Sequence, residues 1–228
     1  NYTGDIMDGK IIVIEGACDG IGKSTQSKLL EQFLIENNIK VKFHHFPTYN
    51  SKQGALVEEY LKGNLGDKKD LSPYLINSIY AIDRALTWNK ELKCDYQNNS
   101  AFLFDRYTTS SLIYQSTFIS DIEEKKKFIE FVIDFEYKKI GVKKPDYVFF
   151  LKAPFDLILD LKSKRLDNDG IKNDIHESDI DFMKKVYDNA LFVADYLNWY
   201  KIECSCNGKM KTPMEINNEI RNIIKKEI

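Results

Sequence analysis

Residues 10–25 read Lys10-Ile11-Ile12-Val13-Ile14-Glu15-Gly16-Ala17-Cys18-Asp19-Gly20-Ile21-Gly22-Lys23-Ser24-Thr25. The β-branched apolar run ends at a glycine and has the character of a strand buried on both faces. A glycine-rich turn follows. It opens a stretch from Ser24 to Asn38 in which Leu29, Leu30, Phe33 and Leu34 recur at helical spacing. Strand, glycine loop and helix in this order is the setting in which backbone N–H groups and a helix N-terminus cradle phosphate. Lys23 can then reach β- and γ-phosphates, and the Ser24 hydroxyl can hold Mg²⁺. The candidate nucleotide-phosphate stretch is therefore Asp19, Gly20, Ile21, Gly22, Lys23, Ser24 and Thr25. One irregularity stands out: strict G-x4-G-K-S spacing would begin at Ala17, because Gly16 lies one residue early. A loop one residue longer than usual accounts for it.

Outward from this stretch, strand-like and helix-like runs keep alternating. Strands are expected at Val41–Phe46, 101–104, 147–151 and Tyr200–Cys204. Helices are expected over 55–61, Leu75–Leu92, around Ser110, over Glu123–Ile140, from Pro154 to about Arg165, over Asp179–Leu197, and at the C-terminus. Alternation of this kind predicts an α/β fold: a three-layer α/β/α arrangement on a five-stranded parallel sheet, as in P-loop NTPases. No composition shift or Pro/Gly/Ser linker divides the 228 residues, so a single domain over 1–228 is expected. The polar, glycine-containing segment at about 165–178 is expected to be a mobile lid loop.

Thirty-three basic and 35 acidic residues leave a formal charge of −2, which argues against the broad basic field of a nucleic-acid binder. No run of 18 apolar residues exists, so no membrane partner is expected. The polar start lacks a signal-peptide pattern, and a cytoplasmic protein follows as the expectation, with residues 1–8 a possible leader and Met7 a possible native start. The four scattered cysteines read as reduced thiols, and with three histidines in the chain a zinc site is not expected.

A second chemical signal is Phe104-Asp105-Arg106-Tyr107. An acid at the C-terminal end of a buried strand falls at the crevice where α/β sheets bind ligands. The adjacent arginine offers a rigid fork for phosphate oxygens. Tyr80 and Arg84, four residues apart, share one face of their helix.

Several strings occur in series along the chain: Glu15-Gly16, Asp19-Gly20-x-Gly22-Lys23-Ser24-Thr25-Gln26, Phe46-Pro47, Asp83-Arg84, Asp105-Arg106-Tyr107-x-x-Ser110-Ser111-x-x-Tyr114-Gln115 and Lys144-Pro145-Asp146. In content and order they resemble the signatures of the thymidylate kinase family. The resemblance implies phosphoryl transfer from ATP to dTMP with Mg²⁺, in a homodimer. It gives Lys23, Arg106, Asp105 and the lid residue Arg165 catalytic roles, with Ser24 and Asp105 toward the metal. It puts Asp19 on the sugar 3′-hydroxyl, Tyr80 against thymine and Arg84 on a base carbonyl. Ser110 and Gln115 approach the base edge, and Phe46 and Arg106 complete the dTMP site. The chain departs from the pattern in two places. Thr48-Tyr49 follow Phe46-Pro47 where many relatives carry an arginine, so that contact is either lost or supplied by another group such as Lys52. Gly20 stands where one branch has an arginine, which turns attention to Lys164 and Arg165, then Lys172; His176 reads as a loop residue. The open alternatives are another pyrimidine nucleoside or nucleotide kinase of the same fold, and a catalytically impaired relative.

Overall fold

The computed structural model describes residues 9–67, 70–98, 101–168 and 177–226, with side chains at 164–168, 177–179 and 226 excepted. The chain falls into two compact units. One comprises Asn1–Val13 with Asn37–Asp146, the other Ile14–Glu36 with Tyr147–Ile228. Five strands form one sheet in the order β2-β3-β1-β4-β5, namely Val41–His45, Ala101–Asp105, Ile11–Gly16, Tyr147–Lys152 and Tyr200–Glu203. The pairings are parallel, and helices flank the sheet, as expected of a three-layer α/β/α nucleotide kinase.

In the first unit, β1 and β3 pair in register from Ile11 with Phe102 to Val13 with Phe104. Both strands are almost wholly buried, which is why they read as continuous apolar runs rather than alternating ones. An aromatic core of Phe46, Trp88, Phe102, Phe104 and Tyr107 fills the space beside them. Helix α2 spans Ala55–Leu61. Helix α3 (Pro73–Thr87) starts at Ser72, whose hydroxyl accepts from Leu75 N at 3.1 Å, and Pro73 pre-sets the first helical φ. A π-helical turn (Trp88–Leu92) and helix α4 (Lys93–Gln97) continue it. Helix α5 is Thr108–Tyr114, followed by a 3₁₀ turn at Ser116–Phe118. Helix α6 (Ile122–Ile133) is capped by Asp121 and runs into a second π-helical turn, Asp134–Lys139. The helices expected over Leu75–Leu92 and Glu123–Ile140 thus each break into an α and a π part.

In the second unit, α1 (Lys23–Glu36) packs on the C-terminal helix α9 (Pro213–Lys226), and α7 (Phe155–Asn168) and α8 (Glu177–Tyr196) complete the helical layer. Two boundaries differ from expectation. Of the segment expected to be a loop at about 165–178, Arg165–Asn168 are helical and belong to α7, and Glu177–Ser178 belong to α8. Nothing in Arg165-Leu166-Asp167-Asn168 breaks a helix; the first glycine is Gly170. Residues 169–176, including Lys172 and His176, lie outside the described residues. The last strand ends at Glu203 rather than Cys204, and a short antiparallel hairpin follows, β6 (Ser205–Cys206) and β7 (Lys209–Met210). Its turn is Asn207-Gly208 with φ of 50° and 74°, the dipeptide that tight hairpins favour. Among the described residues no helix is long and apolar enough to cross a membrane.

Candidate active site

The candidate phosphate-binding loop lies between the end of β1 at Gly16 and the start of α1 at Lys23. Its first turn is anchored by Ala17, whose N–H donates to Leu151 O at the end of β4 (3.0 Å). The chain then folds back on Gly16: a Cβ there would stand 2.5 Å from Ile21 Cγ2, so this position has no space for a side chain. Gly20 and Gly22 take φ of 98° and 108°, a region L side chains rarely adopt. Gln26 N–H donates to Gly22 O at 3.0 Å, so α1 begins its hydrogen bonding at the last glycine of the loop. The first turn of α1 holds no acid, and Ser24 and Thr25 are exposed there, which leaves the positive end of the helix available to an anion. Lys23 Nζ donates to Asp19 Oδ1 at 2.9 Å, with Lys23 mostly covered and Asp19 mostly exposed.

Lys162, on α7, stands beside this loop: a Cβ on Gly20 would lie 3.9 Å from Lys162 Cβ. Lys162 Nζ also approaches Met183 Sδ at 3.2 Å. It is a cation next to Gly20, and it precedes Lys164 and Arg165, whose side chains are outside the described set. Cys18 is buried, and desolvation, with Asp19 beside it, pushes its thiol pKa up, so it stays a protonated thiol. From behind, α9 braces α1. Gln26 Nε2 donates to Pro213 O (2.9 Å), and Asn217 Nδ2 donates to Gln26 Oε1 (3.0 Å). Arg221 caps this set through Asn217 Oδ1 (2.6 Å) and Leu29 O (3.1 Å).

The other unit holds Asp105, Arg106, Tyr80, Arg84, Ser110 and Gln115. In the parallel register His45 is the partner of Asp105, and its Nδ1 lies 2.9 Å from Asp105 Oδ2. Arg106 has φ of 60°, an uncommon left-handed conformation for a non-glycine residue, and its guanidinium carbon sits 5.6 Å from the Tyr114 ring centroid. Phe46 is only 2% exposed and packs on Phe104 and Tyr107. Its ring is thus mostly committed to the core. Thr48 N–H donates to Asp83 Oδ2 at 2.8 Å, so the Asp of Asp83-Arg84 pins the turn after Phe46-Pro47. Lys52 is exposed in that turn.

Tyr80 is half-buried with its ring edge toward Tyr60 at 6.0 Å, and burial pushes its hydroxyl up to about 12. Four residues on, Arg84 is 2% exposed. Its Nε donates to Glu136 Oε2 (2.8 Å), while Nη2 donates to Glu136 Oε1 (2.7 Å) and to Ser111 Oγ (3.0 Å). Thr108 Oγ1 donates to Glu136 Oε2 at 2.7 Å. Ser110 and Gln115 are buried on α5 and at its end, and the side-chain oxygen of Gln115 has no hydrogen-bond partner. Both polar atoms of the Asn77 side chain, which is fully buried one turn before Tyr80, are likewise unpartnered. The first unit therefore contains a buried guanidinium, a fully covered carboxylate and amide groups with unused capacity.

A family model described as Thymidylate kinase matches residues 14–212. The chain belongs to the thymidylate kinase family. The protein named thymidylate kinase from Prochlorococcus marinus (strain MIT 9312) is 30% identical over 226 residues, covering 96% of each chain. One named probable thymidylate kinase, from Methanocaldococcus jannaschii, is 31% identical over 223 residues, covering 96% of this chain and 98% of its own. The thymidylate kinase of Plasmodium falciparum (isolate 3D7) is 29% identical over 203 residues, 89% of this chain and 86% of its own.

Within this thymidylate kinase scaffold, sequence reasoning missed Glu136, Ser111, His45 and Lys162. For Glu136 a signal existed, since it is a carboxylate among Phe135, Tyr137 and other large side chains of an amphipathic stretch. Its partner is 52 positions away. His45 carries a weaker signal, a polar residue at the end of a strand beside Phe46-Pro47.

Proposed function

We propose that this protein is a dTMP kinase that transfers the γ-phosphoryl group of ATP to dTMP, giving dTDP and ADP. What supports this reading is that a thymidylate kinase family member carries both a loop suited to cradle phosphate and a buried cluster whose donors and acceptors suit thymine. An arginine N–H can only donate and an amide oxygen can only accept. Arg84 and the unpartnered Gln115 oxygen therefore suit the 4-oxo and N3–H groups of thymine, and mismatch the 4-amino and bare N3 of cytosine.

Lys23 and the N–H groups of 19–25 would bind the ATP phosphates, and Arg106 would neutralise charge on the transferring group. Phosphoryl transfer needs positioning and charge neutralisation more than covalent participation by the protein. Asp19 would accept from the sugar hydroxyl and Tyr80 would stack on the base, with Ser110 beside its edge and Phe46 behind. Ser24 and Asp105 are hard oxygen donors of the type that holds Mg²⁺ together with substrate phosphates, and Asp105 keeps one oxygen outside its contact with His45. When bound, Mg²⁺ would neutralise phosphate charge. Arg165 would act from α7, with Lys162 a nearer cation to the loop.

The chain would work as one kinase domain over 1–228, in the cytoplasm and as a homodimer. Exposed Leu75, Ile82 and Leu86 recur along one side of α3 and would form an apolar subunit contact. A coupled ATP-consumption assay against dTMP, dUMP, dCMP, CMP, GMP and thymidine tests the activity. The expected order is dTMP first and dUMP slower. Equal or faster turnover of thymidine or CMP would overturn the assignment.

A further inference from the structure

Glu136 has no role in the chemistry proposed above, yet it is among the most thoroughly buried charges in the first unit. Its relative exposure is 0%, and it sits on a π-helical turn, Asp134–Lys139. Turns of this type are rare and recur at functional sites. Its carboxylate is held from both sides. Arg84 donates two bonds to it through Nε and Nη2, and Thr108 donates a third through Oγ1.

We propose that Glu136 is a positioning residue that sets base specificity by fixing which N–H groups of Arg84 remain for a ligand. The inference rests on the dTMP kinase reading. A guanidinium carries five N–H donors in a rigid plane. The Nε donor and both Nη2 donors go to Glu136 and Ser111, and none of these bonds uses the Nη1 pair. A bidentate pairing locks the plane as well as the position. The Nη1 donors are therefore aimed by the carboxylate, not by the flexible arginine stem. A fixed donor pair accepts a pyrimidine with a 4-oxo group and opposes one with a 4-amino group, whose N–H would meet N–H. Glu136 also compensates a charge that burial would otherwise make costly, so Arg84 can wait in place in the absence of nucleotide.

The same carboxylate could serve stability alone, and the test separates the two. Glu136→Gln keeps shape but weakens the clamp. It is expected to raise KM for dTMP about tenfold, leave KM for ATP unchanged, and lower the dTMP over dCMP ratio of kcat/KM by about tenfold or more, because sites that pair a substrate polar group discriminate strongly. Calorimetric Kd values should show the same change, with the preference for dTMP over dCMP narrowing about tenfold.

Arg84→Gln and the double variant complete a cycle. If Glu136 acts through Arg84, adding Glu136→Gln to Arg84→Gln costs no further discrimination. A wild-type ratio in Glu136→Gln, or losses that add in the double variant, overturns the proposal. Should Glu136→Gln unfold at assay temperature, Thr108→Val loosens one side of the carboxylate and should lower the same ratio about two- to threefold; no change there overturns it as well. Wild-type enzyme that binds dTMP but does not phosphorylate it would refute the kinase reading, while the calorimetric ratios would still decide the role of Glu136.

Discussion

The loop from Gly16 to Ser24 and the cluster around Arg84 are made by opposite means. The loop is one contiguous stretch shaped by Gly16, Gly20 and Gly22, and what it would offer an anion is largely backbone N–H. The cluster joins side chains from α3, α5 and a π-helical turn, and its central contact, between Arg84 and Glu136, spans 52 positions. An anion site of the first kind needs little beyond local conformation. A site of the second kind, here proposed to read the base, needs a buried network in which each polar group finds its partner. The first should therefore lose activity without losing stability when its key side chain is removed, and the second should lose both.

The largest effect is expected at Arg84. Arg84→Ala leaves Glu136 as an uncompensated buried carboxylate and should destabilise the protein by about 3–5 kcal/mol in urea titrations. Combining Arg84→Met with Glu136→Leu should recover most of that loss. A cost near zero for Arg84→Ala would erase the contrast between the two regions. Lys23→Ala should lower kcat by about 10²–10³-fold, in line with removal of one preorganised charge-stabilising donor. Its thermal midpoint should stay near wild type, since the Lys23–Asp19 pair involves a largely exposed acid and contributes little. An unaltered rate would remove the loop from the mechanism.

Asn217→Ala sharpens the comparison from the second unit. It removes the amide that braces Gln26, immediately after the loop, and should cost about 1–3 kcal/mol of stability while raising KM for ATP and not for dTMP. An equal change in both KM values would show that α9 supports the fold alone.

The smallest effect concerns pH. Burial lowers the pKa of His44 below its ordinary 6.5, with its Nε2 near Thr48 Oγ1. The unfolded chain then binds the proton more readily than the folded one, so this contribution to stability is present above pH 6.5 and is lost as pH falls toward the folded-state value. Thermal midpoints measured from pH 7.5 downward should decline below about 6.5, and His44→Gln should flatten that part of the curve. A decline unchanged in His44→Gln would assign it to other groups.

Most of the architecture was legible in the chain because its signals are local. Buried parallel strands read as β-branched and aromatic runs, and the strand–glycine–helix order around Lys23 carries its function in consecutive residues. The helix boundaries that were misread have local causes too: Arg165-Leu166-Asp167-Asn168 lacks a breaker and stays helical, and Asn207-Gly208 makes a hairpin too short to show as a run of strand. The π-helical turns were not legible, since a single turn of 5 or 6 residues is too short for its shift in apolar spacing to show.

Sequence alone determined the layered α/β fold, the phosphate loop and the chemical character of Asp105, Arg106, Tyr80 and Arg84. Only tertiary structure decided that Arg84 is held by Glu136, that Phe46 belongs mainly to the core, that His45 meets Asp105, and that Lys162 stands at Gly20. The physical reason is range. Backbone conformation and periodicity are set by neighbours a few residues apart, whereas the partner of a buried charge is chosen by which distant side chain the packed core brings within hydrogen-bond reach.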